Sequence, residues 1–556
     1  MYQPDPHDIN YSDLLTDISR GQIKIPQFQR DFVWTKERSA RLLDSVIKGY
    51  PIGTFILWKT KDRLRSIRNI GADHLPDPQE GDFVNYILDG QQRITSLYAA
   101  LKGLKIVRKD REDDFSDLYL SLSTEPNVDS QIITAEPPEG ELNVDFLKVT
   151  DLLNADFTFL GSFPKEYHEK LSIYKKRFET YAFSIITVKE APIDVATEIF
   201  TRINIGAKPL SVFEIMVAKT FDDKKAFDLA EKYDELVEEL QSVDYDTVSP
   251  AVVLQTISAI LVGSCDKSSI LRLDKSEFIG VWEDAINAIR ESIDHLRDCY
   301  SAKVSRMLPY AHLLVPFAYF YYKHPRRPSG VKLQRLEDFF WRTSLGGRYS
   351  YSVESKIGQD LKRIDEILEG RDPEYDYGID VSTEFISRNG WFSATRSFVK
   401  SILCLLASHE PKSFSDRFTV RITNDWLQRA NSKNYHHFFP KAYLKNRGVD
   451  ESKANHIANI TIVDDRLNKQ RIRARAPSSY LEEFMSENDE LDKTLKTHLI
   501  EMTDDNVLND DYDTFFGNRC SRISEELRKK IIPREIDSSG QYVHTDDFEE
   551  DPESTS

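Results

Sequence analysis

The spacing of hydrophobic residues changes near residue 224 and divides the chain into two kinds of predicted structure. Before this point, short apolar runs typical of strands alternate with helical segments and charged loops. From Lys224 to about Glu410, apolar residues recur every three or four positions, which predicts a mostly helical region. The pattern therefore predicts a multi-domain α+β protein, with an α/β N-terminal part and a helical middle region.

The segment from Val84 to Gly103 predicts a strand, a glycine turn and a helix. Val84–Leu88 has the composition of a buried strand, Gln91–Leu101 has helical spacing, and Asp89-Gly90 lies between them. The N-terminus of such a helix presents free N–H groups, and Arg93 could add a bidentate contact to a phosphate. A plain strand-to-helix connection explains this spacing equally well. The chain has no GxxxxGK[ST] sequence, so a Walker-type nucleotide site has no support.

Two further segments have unusual polar residues within apolar surroundings. Glu198–Phe221 predicts two helices separated at Asn204-Ile205-Gly206, where either a structural corner or a ligand-facing loop would use these residues. In the helical region, Phe339–Ser352 contains Arg342, Arg348 and a pair of glycines. A solvated turn is favoured there over a helix end that faces nucleic acid.

Composition restricts the class of protein. At 556 residues, with 40% hydrophobic and 11% aromatic residues, the chain predicts two or three folded domains rather than disorder. The four cysteines are scattered without CxxC spacing, which argues against disulfides and thiolate zinc sites. The N-terminus lacks the pattern of a signal peptide, and the apolar runs are shorter than the roughly 18 residues that span a bilayer. We therefore expect a soluble cytoplasmic protein with no membrane partner.

Positive charge concentrates in one stretch of an otherwise acidic chain. The net charge is −18, yet Arg429–Arg475 holds eleven lysines and arginines against four acidic residues. Such a local reversal of sign indicates a phosphate-bearing partner. The residues that we predict to bind DNA are Lys441, Lys469, Arg471 and Arg473.

The same stretch contains two adjacent histidines and two asparagines. In an extended backbone, His436 and His437 point to opposite sides, so we expect one to act as a metal ligand and the other as a general base. Asn459 lies in the strand-like NITIV, and Asn468 lies on a predicted helix. Amide oxygens are hard ligands that suit Mg²⁺ or Mn²⁺ rather than zinc. The order strand, loop, strand and helix predicts a ββα module, in which His456 is a packed or solvated histidine.

This C-terminal stretch resembles the HNH (ββα-metal) nucleases, in the branch found in GmrSD-type restriction systems. The matching residues are HHFFP at 436–440, NITI at 459–462, and Asn468. The resemblance implies that His436 and Asn468 bind the metal and that His437 is the general base. It also implies that Asn459 orients the base histidine.

The N-terminal half resembles the GmrS-like domain, a relative of the ParB and sulfiredoxin fold. The matching segments are IPQFQR at 25–30, LLDSVIKGYPIG at 42–53, LDGQQR at 88–93 and FTRINIGAKPLS at 200–211. Members of this family bind or hydrolyse nucleoside triphosphates with the DGQQR sequence. The nucleotide-binding residues implied here are Gln29, Arg30, Asp89, Gly90, Gln91, Gln92, Arg93 and Asn204.

Together the two resemblances imply a nucleotide-regulated DNA endonuclease that defends a bacterial cell against foreign, often modified, double-stranded DNA. The implied cofactors are Mg²⁺ or Mn²⁺ and a nucleoside triphosphate, with GTP, ATP, CTP and UTP not distinguished. The expected division is a GmrS-like domain at 10–220, a helical region at 221–410, an HNH nuclease at 411–533 and an acidic disordered tail at 534–556. Two other functions stay open: a non-catalytic DNA-binding NTPase switch and an HNH-type ribonuclease toxin. The sequence also leaves a homo-oligomer open.

Overall fold

A computed structural model describes residues 3–538, except 27, 30–31, 65, 69, 71–74, 77, 80, 108–111, 126–129, 204–209, 223, 425–435 and 464–470. The chain forms two compact units, Met1–Leu229 and Ala230–Ser556. The first unit mixes strands and helices, and the second is mainly helical, which confirms a multi-domain α+β protein. Within the described ranges, no helix has both the length and the apolar character that a membrane span requires.

The first unit alternates strands and helices along the chain. Its strands are β1 Asp5–Asn10, β2 Ile23–Pro26, β3 Phe55–Thr60, β4 Ser66–Arg68, β5 Val84–Asp89, β6 Lys105–Val107, β7 Glu112–Asp114, β8 Tyr119–Ser121, β9 Ile133–Thr134, β10 Phe146–Lys148 and β11 Ala182–Lys189. Its helices are α1 Tyr11–Ser19, α2 Lys36–Lys48, α3 Gln91–Lys102, α4 Val149–Asn154, α5 Phe157–Gly161, α6 His168–Thr180, α7 Ile193–Ile203 and α8 Val212–Thr220.

The main sheet of this unit has the strand order β1-β11-β3-β5-β2-β4 among the described residues. The pairs β11–β3 and β5–β2 are parallel, and the other neighbouring pairs are antiparallel. Apolar residues from one face, such as Leu57, Ile87 and Ile185, form a core with residues of the helices. Because side chains alternate along a strand, this burial fixes the register of each strand.

Local sequence rules account for the helices that flank the central strands. The apolar face of α2 is buried, and Gly49 ends that helix with a φ of 73°. β5 and α3 lie within one residue of their predicted bounds, and Gly90 and Gly103 take left-handed conformations at the two ends of α3. Ser211 and Glu214 form a reciprocal capping box at α8. The predicted turn at 204–206 lies outside the described residues.

The second unit contains the predicted helical region and the histidine pair. Its helices are α9 Leu229–Gln241, which begins at the boundary, α10 Pro250–Val262, α11 Lys267–Arg272, α12 Lys275–Cys299, α13 Leu314–Lys323, α14 Gly330–Leu345, α15 Val353–Leu368, α16 Thr383–Asn389, α17 Ser397–Ser408, α18 Lys441–Asn446, α19 Glu451–Ala454, α20 Pro477–Glu487, α21 Leu491–Lys496 and α22 Tyr512–Arg528. Its two short strands are β12 His436–His437 and β13 Ile460–Thr461.

Arg342 and Arg348 are buried, which corrects the expectation of a solvated turn and excludes a surface that faces nucleic acid in this conformation. Arg342 donates to Asp338 at 3.3 Å and to Asp537 at 2.6 and 2.8 Å. Arg348 donates to both carboxylate oxygens of Asp360 at 2.9 Å. Charged groups at this depth require such partners because an unpaired buried charge is very costly.

Residues 534–538 are folded, although the predicted acidic disordered tail includes them. Residues Glu535–Ser538 form a 3₁₀ helix, and Arg534 donates to Asp338 at 3.1 Å and to Asp372 at 2.9 Å. Asp537 accepts from Arg342. These ion pairs hold residues 534–538 against the helical region, and residues 539–556 lie outside the described part of the chain.

Asp338→Ala is expected to destabilise the second unit by about 3–5 kcal/mol, because buried Arg342 and partly buried Arg534 lose a shared carboxylate. Thermal and urea unfolding measure the change. Glu235→Ala is the matched control, since its pair with Lys232 at 2.8 Å is largely exposed and should contribute about 0–1 kcal/mol. Equal stability of the Asp338 variant and the parent would contradict the importance of this network.

Candidate functional sites

The histidine pair lies on a short antiparallel hairpin in the second unit. His436 pairs with Thr461, and His437 pairs with Ile460. The strand β12 leads through two buried phenylalanines to Pro440, and α18 follows. The first two elements of the predicted ββα module are therefore present. The segment 464–470, where the predicted helix with Asn468 would begin, lies outside the described residues.

His436 is buried among aromatic rings and keeps one nitrogen without a partner. Its Nδ1 lies 2.6 Å from Thr461 Oγ1, and the rings of Phe414 and Tyr480 pack edge-on against it. Its Nε2 is buried and has no hydrogen-bond partner among the described residues. Burial, followed by the nearby His437, holds the pKa of His436 well below its usual range. A neutral imidazole with a free lone pair is the form that binds a metal ion.

His437 has different surroundings, as expected for the neighbouring residue on a strand. Its Nε2 donates to Asn455 Oδ1 at 3.0 Å. The amide orientation of Asn455 is consistent with this, because Nδ2 donates to Phe392 O at 3.2 Å. Nδ1 is then the nitrogen that can accept a proton. Burial lowers the pKa of His437 to about 4, so the ring is neutral near pH 7.

Asn455 is a candidate functional residue that the sequence analysis missed. Its amide connects His437 to the backbone of Phe392, and Phe392 N donates to Asn455 O at 2.9 Å. The only sequence signal is that Asn455 lies in the same short segment as Asn459. Spacing alone does not indicate that its amide reaches a histidine eighteen positions earlier.

Asn459 acts on the backbone of the hairpin rather than on either histidine ring. Its Oδ1 accepts from Phe439 N at 2.9 Å, and its Nδ2 donates to Phe439 O and Ala454 O, each at 2.9 Å. It ends a 3₁₀ turn, Ile457–Asn459, immediately before β13, so it is not itself in the strand. Its contacts fix the chain just after His437 and just before Asn455. Its effect on the base histidine is therefore indirect.

His456 is a packed histidine, as expected. Its Nε2 lies 3.1 Å from Ile386 O, and its Nδ1 accepts from Ala458 N at 3.0 Å. Burial lowers its pKa to about 4. Both of its ring nitrogens are occupied by backbone groups, so it has a structural role in this conformation.

The predicted DNA-binding residues differ in their surroundings. Arg471 donates to Glu483 and, at 2.6 Å, to Glu487 of α20. Its guanidinium group also lies over the ring of Phe484. Arg473 is exposed and has no ion pair among the described residues. Lys441 is partly exposed and lies 3.8 Å from Glu451. Lys469 lies outside the described residues.

The turn at Asp89–Arg93 connects β5 and α3 in the first unit. Gly90 has a φ of 93°, and a Cβ atom there would lie 2.5 Å from Phe55. Gly90 also supplies no side-chain acceptor to the first turn of α3. A helix end of this kind can receive an anion at its N–H groups.

Arg93 stabilises this turn with its guanidinium group. It donates to Ile52 O at 2.7 Å, to Thr54 O at 3.1 Å and to Asp89 Oδ2 at 2.9 Å. These contacts leave it less available for the predicted bidentate phosphate contact. The Asp89 side chain is 31% exposed and the Arg93 side chain is 19% exposed, so solvent reaches Asp89 more easily.

The side chains of three glutamines make hydrogen bonds near this turn, and two of them bind backbone groups. Gln29 Nε2 donates to Ile87 O at 2.8 Å and to Leu88 O at 3.1 Å, so it lies at the end of β5, close to Asp89 in the sequence of that strand. Gln92 accepts from Val33 N at 2.8 Å and donates to Gln91 at 3.2 Å. Arg30 and Asn204 lie outside the described residues.

Asn459→Ala is expected to lower the unfolding temperature and to accelerate amide hydrogen exchange at Phe439. The substitution leaves three buried backbone groups without their partner, at a cost of about 1–3 kcal/mol for each group. Hydrogen exchange followed by mass spectrometry measures the local effect. Asn446→Ala on the exposed side of α18 is the control. Unchanged exchange at Phe439 would show that the amide does not hold the hairpin.

Comparison with known proteins finds a similarity to a known family within the first unit. Residues 11–221 match a family model described as the GmrSD restriction endonuclease, N-terminal domain. Over 603 aligned residues, the chain is 25% identical to the uncharacterized protein MJ0686 of Methanocaldococcus jannaschii, covering 95% of this chain and 98% of that protein. The family match ends before the histidine hairpin. It supports a GmrSD-type restriction protein through its N-terminal domain.

Proposed function

We propose that this protein is a metal-dependent DNA endonuclease of a restriction system, which cuts foreign or modified double-stranded DNA under the control of a nucleotide. The N-terminal family match supports a restriction role in phage defence. The observation that carries the nuclease proposal is the hairpin on which two neutral histidines have separate environments. In this proposal the first unit has a ParB/sulfiredoxin-like fold, and a ββα-metal nuclease occupies about 411–533.

His437 is the general base of the proposed reaction. With Nε2 donating to Asn455, its Nδ1 accepts a proton from the water that attacks the scissile phosphate. Its low pKa keeps the ring unprotonated before each reaction. Asn459 positions this base through the backbone of Phe439 and Ala454.

His436 and Asn468 would hold Mg²⁺ or Mn²⁺. The unpartnered and buried Nε2 of His436 fits a metal ligand, and an amide oxygen such as that of Asn468 is a suitable second donor. When bound, a divalent cation stabilises negative charge that develops on the phosphate. Lys441, Lys469 and Arg473 would bind neighbouring phosphates, and Arg471 would join them only after leaving its two glutamates.

The turn at Asp89–Arg93 is the proposed nucleotide site. The N–H groups at the start of α3 would bind a phosphate, and the carboxylate of Asp89 would hold the cation that accompanies it. Arg93 and the glutamines Gln29, Gln91 and Gln92 would keep the turn in shape. The implied contacts of Arg30 and Asn204 belong to the same proposal, which does not select one triphosphate.

His437→Ala is expected to reduce plasmid cleavage in Mg²⁺ or Mn²⁺ by about 100-fold or more, since a general base typically contributes roughly 10²–10⁴ in rate. The assay uses modified and unmodified plasmids with each nucleoside triphosphate, and chelation with EDTA should stop cleavage. His324→Ala, in an exposed loop of the same unit, is the control. Cleavage by the His437 variant at the parent rate would reject this base, and cleavage of RNA alone would favour a ribonuclease toxin.

Asp89→Asn is expected to weaken triphosphate binding or turnover by about tenfold, because it removes a cation-binding charge while keeping the side chain's size. Arg93→Ala is less informative, since it also removes contacts with Ile52 and Thr54. Isothermal titration and phosphate release measure the effect, with Asp82→Asn in the preceding loop as the control. Normal binding and turnover in the Asp89 variant would remove the nucleotide role from this turn.

A further inference from the structure

A cavity of about 250 Å³ opens on one face of the main sheet, away from the proposed nucleotide site. Its lining includes the polar residues Asp5, Asp17, Lys59, Asn85 and Lys189, together with apolar side chains of the sheet. On β5, Asn85 in the cavity wall and Asp89 in the turn are four residues apart, or about 13 Å along a strand. The two sites therefore lie toward opposite ends of the same strand.

Three polar side chains form a row across adjacent strands at this cavity. Lys189 pairs in register with Lys59, and Lys59 pairs with Asn85. Residues paired in this way have neighbouring side chains on one face, where two like charges are destabilising. Asp5 compensates Lys189 with an ion pair at 2.7 Å. Lys59 has no ion pair among the described residues and lies 4.9 Å from the ring of Phe83.

The inner part of the cavity combines apolar and polar groups. Ile9, Ile23, Leu57 and Ile185 provide apolar surface. Asp17 of α1 and Asn85 of β5 face this surface, and neither side chain has a hydrogen-bond partner among the described residues. Burial, together with the nearby Asp13, raises the pKa of Asp17 above its ordinary value. A ligand that donates a hydrogen bond to this carboxylate would relieve the cost of its burial.

These groups match one class of ligand. A flat ring suits the apolar surface, an exocyclic amine can donate to Asp17, and an adjacent ring acceptor can receive the amide of Asn85. Cytosine, adenine and guanine each have an exocyclic amine beside a ring acceptor, whereas thymine does not have the amine. The positive charge of Lys59 in the cavity lining suits a phosphate group. The cavity volume is sufficient for a single base.

We propose that this cavity binds one nucleotide with an amino-bearing base, with the base against Asp17 and Asn85 and the phosphate at Lys59. The nucleotide has two possible sources, a free nucleotide or a nucleotide turned out of DNA. The binding itself does not depend on the proposed nuclease reaction, and only the DNA source would connect the cavity to target recognition.

The test measures binding of dCMP, dAMP, dTMP and dGMP to the full-length protein by isothermal titration in EDTA. Each titration is repeated with Asp89→Asn, so that a nucleotide held at the turn is distinguished from one in the cavity. Asp17→Asn and Lys59→Gln are the cavity variants. Asp8→Asn, which points to the other face of β1, and Lys102→Gln, at the exposed end of α3, are the matched controls.

We expect the amino-bearing nucleotides dCMP, dAMP and dGMP to bind more tightly than dTMP. Each cavity variant should weaken this binding by roughly 10-fold or more, as for loss of a hydrogen bond to a charged group. The two control variants should bind as the parent does, and each cavity variant should cause the same loss of affinity in the Asp89→Asn background. Absence of binding by the parent, or parent-like affinity in both cavity variants, would overturn the proposal.

Competition with duplex oligonucleotides identifies the source. The His437→Ala protein is titrated with dCMP or dAMP in the presence of a duplex that contains a mismatched cytosine or adenine, or of its fully paired equivalent. Stronger competition by the mismatched duplex than by the paired duplex identifies a base presented by DNA. Equal competition by both duplexes identifies a free nucleotide as the ligand. Neither result depends on whether the parent protein cleaves DNA.

Discussion

The amide of Asn459 is the interaction on which the geometry of the histidine hairpin depends. One side chain binds both backbone groups of Phe439 and the carbonyl of Ala454, and it thereby holds together two chain segments that contain His437 and Asn455. Around it, Phe438, Phe439 and Phe515 exclude water. Exclusion of water makes each lost hydrogen bond costly, and it also keeps the histidines neutral. Burial therefore accounts both for the fixed position of the histidines and for their neutral protonation state.

Positive charge in the sequence proved to be a poor indicator of ligand contact. Arg93, Arg342 and Arg471 were all candidates for binding phosphate or nucleic acid, and each donates to carboxylates or carbonyls within its own unit. The planar guanidinium can satisfy several acceptors at once, which suits it to hold distant segments together. Lys59 and Arg473, which have no ion pair among the described residues, are better placed to meet an external anion.

The sequence predicts the elements that depend on neighbouring residues, and it does not predict contacts between residues that are distant along the chain. The bounds of β5 and α3 follow from hydrophobic periodicity and from glycines that adopt left-handed conformations, and both were predicted to within one residue. The hairpin pairing of the histidines was also anticipated, although Asn459 lies in a 3₁₀ turn rather than in a strand. The contact of Arg342 with Asp537 joins residues 195 positions apart, and no local pattern indicates it. The same limit applies to Asn455, whose role depends on a carbonyl of Phe392.

The carbonyl of Phe392 also connects the helical region to the segment that holds His437. The chain between α16 and α17 pairs with the segment before β13, where Trp391 bridges to His456. Gly390 permits this approach, because a Cβ atom there would lie 2.3 Å from His456 Nε2. Phe392 then fixes the amide of Asn455, and Asn455 fixes which nitrogen of His437 carries the proton. A shift of this segment would release the amide and leave the His437 tautomer unselected. In the proposed nuclease, a backbone group of the helical region thus orients the hydrogen-bond partner of the base histidine.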